Sequence, residues 1–191
     1  GLNNSMAKQI ESLGSNAIYV SKYKPGIQLG PRSSEERNRK GIVFEDAMAI
    51  IDYCPLIDAV SPENHYWADG GNKAHYGQNE AMRPDLVGVL PAYMTVNKSE
   101  MGEGRFFTDI DNHFKRMVCI IGNSIAEALF PGLDPVGKEI FVNHHRYQVI
   151  GVVAKRDSFL GEDFNNFILI PYSTFAKLHP LRACPSPPRG W

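Results

Sequence analysis

The segment Gly132-Leu133-Asp134-Pro135-Val136-Gly137-Lys138 has the spacing of a loop that wraps phosphate in backbone amides. Its context does not fit. Glu139 stands where a hydroxyl should meet magnesium, Pro135 removes a donor, and a β pattern follows where a helix N-terminus is needed. The segment is expected to be a turn leading into a strand. Asp109, Asp111 and His113 place two carboxylates and an imidazole within five residues, so a divalent ion, and metal-assisted chemistry, is conceivable there. The spacing of a calcium loop is missing, and carboxylates just after Thr108 are what the start of a short helix requires. His144 and His145 are neighbours; on a strand they point to opposite faces, and on a hairpin turn both are solvated. His65, His75 and His179 sit in polar segments with no partner that spacing identifies. No G-x-S-x-G elbow is present. The three cysteines, Cys54, Cys119 and Cys184, form no C-x-x-C pair, and Cys119 lies in an apolar run as a small hydrophobe. The expectation is no catalytic, cofactor or metal residue. Tyr66 and Trp67, aromatic in a polar Gly/Asn context, are the candidate partner contacts, with the loop over 24–39 beside them.

These residues need a scaffold. The 191-residue chain is 43% hydrophobic and 21% charged, which excludes wholesale disorder. Twenty Lys and Arg against 21 Asp and Glu leave a formal charge of −1, which argues against a nucleic-acid partner. No run reaches the roughly 18 apolar residues of a membrane span, and the first residues lack the pattern of a signal peptide.

Periodicity predicts helices over 5–13, over 44–53 with Ala47, Ile50 and Ile51 inward, and over 122–129 with Ile125, Ala128 and Leu129 inward. Strands are expected over 17–20, 57–61, 86–90, 117–121 and 167–170, with a hairpin of 139–142 and 146–153 joined by Asn143-His144-His145. The stretch 63–85 has turn chemistry but weak periodicity. Residues 179–191 hold four prolines and read as an unstructured tail. The tally is α+β.

An ordered series of short motifs runs through the chain. It begins Ile10-Glu-Ser-Leu-Gly-Ser-Asn-Ala-Ile-Tyr-Val20 and Phe44-Glu-Asp-Ala-Met-Ala-Ile50. It continues with Val87-Gly-Val-Leu-Pro-Ala-Tyr93, Gly104-Arg-Phe-Phe-Thr-Asp-Ile-Asp111 and Val118-Cys-Ile-Ile-Gly122. Asp134-Pro-Val-Gly-Lys-Glu-Ile140, Val149-Ile-Gly-Val152 and Ile170-Pro-Tyr-Ser-Thr-Phe175 complete it. This order resembles the periplasmic core domain of MacB-type, FtsX-like ABC transporter permeases. The resemblance implies a porter-like β-α-β subdomain, truncated after Leu178, with an inserted mostly-β subdomain. In those terms 1–62 is the first half of the porter-like part, 63–166 the insertion, 167–178 a return strand and 179–191 the tail.

The resemblance further implies a non-catalytic module on the periplasmic or extracellular side of the bacterial inner membrane, which couples ATP hydrolysis in a separate domain to export or to work on periplasmic partners. Its implied partners are its own transmembrane helices, a second permease copy, and a periplasmic adaptor or lipoprotein. An exposed sheet edge left by the truncation would favour a homodimer. The alternative is a ligand-binding module for a lipid, peptide or antibiotic.

Overall fold

In the computed structural model, residues 18–23, 33–156 and 163–180 are described. The expected helix over 5–13 and most of the tail lie outside them. The chain divides into two compact units with a boundary between Val60 and Ser61.

In the first unit, α1 (Ser34–Asn38) occupies part of the expected 24–39 loop. Ser33 caps it by accepting from the Glu36 amide at 3.2 Å, and Glu35 and Glu36 complement the helix dipole in the first turn. The second helix, α2 (Phe44–Tyr53), has the expected bounds. Its start is fixed by the Val43 amide donating to the Asp46 carboxylate at 2.9 Å. Ala47 is buried as expected, whereas Ile51 is exposed. Two expected strands are absent. Residues 18–20 and 57–61 are irregular, and Ile18, Tyr19 and Val20 are exposed. β-branched and aromatic residues make a strand only where a neighbour completes the ladder, and among the described residues none does.

The second unit is built on one mixed sheet. Its strands are β1 (Glu63–Tyr66), β2 (Lys73–Tyr76), β3 (Asn79–Met82), β4 (Asp85–Val89), β5 (Met101–Gly104), β6 (Val118–Ile121), β7 (Glu139–Val142), β8 (His145–Val153) and β9 (Phe167–Pro171). The order is β1-β4-β9-β6-β8-β7-β2-β3, with β5 paired to β8 beside β7. The β4–β9 and β6–β8 pairs are parallel and the rest antiparallel. The insertion expected over 63–166 and the return strand expected over 167–178 thus share this sheet, because β9 lies between β4 and β6. Four short helices complete the unit: α3 (Tyr93–Val96), α4 (Asp109–His113), α5 (Asn123–Leu129) and α6 (Tyr172–Leu178).

The weakly periodic stretch 63–85 holds three strands. Gly77, at φ 57°, turns β2 into β3 through a two-residue loop. The β7–β8 hairpin closes on Asn143-His144 alone, with Asn143 at φ 53°. His145 is therefore the first residue of β8 rather than part of the turn.

Two cores lie on opposite faces of the sheet. One packs Leu86, Ile121, Tyr147, Val149 and Ile168 under Ile125 and Leu129 of α5 and Phe175 of α6. Ala126, not the expected Ala128, is the helix residue that joins them; Ala128 is exposed. The other core packs Val87, Val89, Val118, Ile120 and Leu169 under Phe107. Each fully buried Leu or Ile contributes about 1.5–3 kcal/mol. Where α6 crosses β4 the fit requires a glycine: a Cβ on Gly88 would sit 2.4 Å from the Phe175 Cβ.

One core group has no partner. The Tyr147 hydroxyl is buried without a hydrogen bond among the described residues, and burial pushes the phenol above its ordinary range. An unpaired buried hydroxyl costs about 1–3 kcal/mol. Tyr147→Phe should leave stability equal or raise it by about 1 kcal/mol in urea unfolding; a loss of that size would show that the hydroxyl is bonded.

Candidate functional site

The phosphate-loop spacing becomes a turn. The Val136 amide donates to the Asp134 carboxylate at 2.8 Å, the Gly137 amide to the Val149 carbonyl at 2.8 Å and the Lys138 amide to the Pro135 carbonyl at 3.2 Å. The donors that would cradle phosphate are used inside the chain, and β7 begins at the next residue.

Asp109, Asp111 and His113 lie on α4, with Asp109 and His113 exposed. Asp111 is fully buried. One of its oxygens accepts from Arg105 at 2.6 Å, from the Thr108 amide at 3.0 Å and from the Thr108 hydroxyl at 2.9 Å. The other accepts from Arg105 and Arg116, each at 3.3 Å. Thr108 in turn accepts from the Asp111 amide, closing a capping box. The Arg105 guanidinium and these cap bonds hold the carboxyl well below the usual carboxylate range. Asp111 is thus a structural anchor that fixes α4 to both arginines. Among the described residues no three His, Cys, Asp or Glu side chains cluster as metal ligands.

The clamp has a consequence at the surface. Asn112 accepts from the Ser173 amide at 2.9 Å, and the Thr174 hydroxyl donates to the Arg116 carbonyl at 2.9 Å, so α4 is also pinned to α6. On this fixed base Ile110 and Phe114, one helical turn apart, face solvent, Phe114 at 69% exposure. Exposed apolar side chains on an immobile base beside two half-exposed arginines have the composition of an interface hot spot. The sequence reading missed this pair; the signal for it was two apolar residues four apart in a segment otherwise rich in charge.

Tyr66 and Trp67 part company. Tyr66 ends β1 half-buried, stacked on His179 at 3.9 Å between ring centroids and packed against the first core. Trp67 follows it at 62% exposure. The turn that carries Trp67 is organised by Asn72, which is fully buried. Its amide donates to the Tyr66 carbonyl at 2.6 Å and the Pro84 carbonyl at 3.0 Å, and its oxygen accepts from the Ala68 amide and the Asn143 side chain, each at 3.1 Å. One side chain thereby ties together the ends of β1, β3 and β7. Trp67 is the aromatic that this end of the sheet presents outward.

His65, His75, His145 and His179 also find partners, while His144 is exposed in the β7–β8 turn as expected. His65 meets the Asp85 carboxylate at 2.9 Å, and that hydrogen bond raises its pKa. His75 stacks on Phe141 at 5.0 Å. His145, expected to be solvated, is half-buried and edge-on to His179; burial lowers the pKa of His179, with the charge of His145 adding to the effect. The first residue of the expected tail is therefore half-buried against Tyr66 and Phe175. Cys119 is fully buried, which pushes its thiol up and leaves it inert.

Comparison with known proteins places this architecture. The family model described as the MacB-like periplasmic core domain matches residues 1–184. The chain is 30% identical over 174 residues to the macrolide export ATP-binding/permease protein MacB of Bdellovibrio bacteriovorus, covering 91% of this chain and 26% of that protein. It is 32% identical over 174 residues to the pyoverdine export ATP-binding/permease protein PvdT of Pseudomonas aeruginosa, covering 91% and 24%. The chain thus spans about a quarter of the length of these relatives. The crystal structure of the periplasmic region of MacB from Actinobacillus actinomycetemcomitans shares the fold, with a TM-score of 0.66 at 21% identity over 91% of this chain and 72% of that one. No helix among the described residues is long and apolar enough to cross a membrane. The family is a non-catalytic part of transporter permeases, lying on the periplasmic side of the inner membrane. The chain belongs to the MacB-like periplasmic core domain family.

Proposed function

We propose that this domain transmits motion within an ABC transporter permease. ATP is hydrolysed in a separate cytoplasmic domain of the parent, the membrane helices carry the movement outward, and this domain applies it to cargo or to periplasmic partners. The part before Ser61 receives the movement, and the unit from Ser61 onward, whose one sheet includes β9, delivers it. The partners are the parent's own helices, a second permease copy, and an adaptor or lipoprotein. Macrolides and pyoverdine, for whose export the relatives are named, are the first cargo to assay.

The observation that carries this reading is the Asp111 clamp. The most perturbed carboxylate in the second unit serves rigidity, and the surface it braces is apolar and aromatic. Trp67 and Phe114 are the contacts assigned to partners. A rigid body with protruding apolar anchors suits force transmission, because little of the movement is lost to internal deformation.

The test uses the full-length parent in nanodiscs. Asp69→Cys, exposed in the Trp67 turn, carries a spin label in a background with Cys54→Ser and Cys184→Ser. The label-to-label distance between the two permease copies should shift when ATP and vanadate trap the closed state. An unchanged distance distribution with ATP hydrolysis intact would sink the proposal.

A further inference from the structure

We infer that a groove beside β5 receives a basic, aliphatic segment of a partner protein. The inference rests on this groove alone and is independent of the coupling mechanism proposed above. Two hollows open to solvent, of about 510 Å³ and about 610 Å³, share Glu103 and Leu133 in their walls. The first runs between α5, the end of β8 and β5; the second continues past Gly104 towards the 132–136 turn. Ala126, Phe130, Pro131 and Val152 line the first hollow, and Leu133, exposed at 55%, stands between the two. The first hollow has an apolar floor, the second a mixed one, and both are open, which suits a chain segment better than a small buried ligand.

The charges around it are one-sided. Glu103, Glu127 and Asp134 face a single lysine, Lys155. That lysine is already paired with Glu127 at 3.3 Å. The Glu103 side chain makes no hydrogen bond or ion pair among the described residues. Its position is itself a special feature of the strand. Met101 pairs with Val153 and Glu103 with Val152, so Gly102 is an extra residue, a β-bulge of the kind that re-aims the next side chain. A Cβ at Gly102 would lie 3.3 Å from the Ala154 backbone, so the bulge packs closely. On its far side β5 has no neighbouring strand among the described residues, so backbone groups there are available to an extended segment. Apolar floor, unpaired carboxylate and free strand edge together select an extended segment in which lysine or arginine alternates with aliphatic residues.

The probes are two capped synthetic peptides, Leu-Lys-Leu-Lys-Leu and Leu-Glu-Leu-Glu-Leu, titrated into the full 191-residue chain at low salt and followed by amide chemical shifts. The basic peptide should perturb 102–104, 132–136 and 152–155 and weaken as salt rises. The acidic peptide should not bind. Glu103→Lys should weaken the basic peptide at least tenfold, and Leu133→Ser should weaken it through the floor. Both positions are exposed, so the folded spectrum of each variant is expected to persist. Absence of binding, perturbation confined to another surface, or equal affinity in the Glu103→Lys variant would each overturn the inference.

Discussion

Asp111→Ala is expected to lower the unfolding free energy by about 3 kcal/mol. The carboxylate is fully buried and accepts from Arg105, Arg116 and both donors of Thr108. Its removal takes away the carboxylate half of the α4 capping box and the ion pairs of two guanidiniums. Both arginines are about half exposed and regain water, which keeps the loss below that of a fully dry ion pair. The sign with pH follows from the lowered pKa. In the unfolded chain Asp111 titrates near the ordinary value of about 3.9. The stabilisation is therefore complete above that value and is lost as pH falls through the folded pKa below it. Urea unfolding of both proteins should show a wide gap at pH 6 that narrows at pH 3. A gap equal at both values would show that the charge plays no part. Loss of the clamp also frees the base beneath Ile110 and Phe114, so partner binding through that surface should weaken more than stability alone accounts for.

What was legible in the sequence divides along physical lines. Elements whose stability is local or whose burial is continuous were readable. Helix α2 has acidic residues in its first turn and apolar ones at helical spacing, and the expected bounds match the observed ones. Strands β6 and β9 are apolar runs buried on both faces, and each was placed to within a residue. Elements that depend on a distant partner were not. Residues 18–20 and 57–61 have strand-like composition and no ladder, while β1, β2 and β3 are polar four-residue strands held by neighbours the sequence does not name. Short helices such as α3 and α6 hold too few turns for periodicity to register. At the site, Trp67 stood out by composition, yet what positions it did not. Asn72 reads as one more polar turn residue; only folding brings Tyr66, Pro84 and Asn143 to it. His179 was assigned to a tail because prolines follow it, and its stack on Tyr66 is a tertiary contact across more than a hundred residues.

Asn72 therefore makes the sharper test of the sheet's outward end. Asn72→Ala should cost about 3 kcal/mol, since it leaves two carbonyls, one backbone amide and the Asn143 side chain without their partner in a part-buried turn. Part of each penalty is recovered if the turn opens to water, so the loss is less than the sum of four unpaired groups. Opening has a location that can be measured. Hydrogen exchange at Ala68 and Arg83 should accelerate in the variant, because their amides bond to the Asn72 side chain and the Asn72 carbonyl and depend on this turn holding its shape. Exchange at Ile120 and Leu169, in the middle of the sheet, should track only the global loss of stability. If Ala68 and Arg83 slow or speed in step with Ile120, the hub is part of one cooperative core rather than a local organiser. The local outcome carries a functional corollary. A partner that reads Trp67 on a fixed turn must then pay its ordering entropy at binding. Its affinity should fall in Asn72→Ala even though Trp67 itself is unchanged. Unaltered affinity in the opened variant would move the docking role from Trp67 to the Phe114 surface, which Asn72 does not touch.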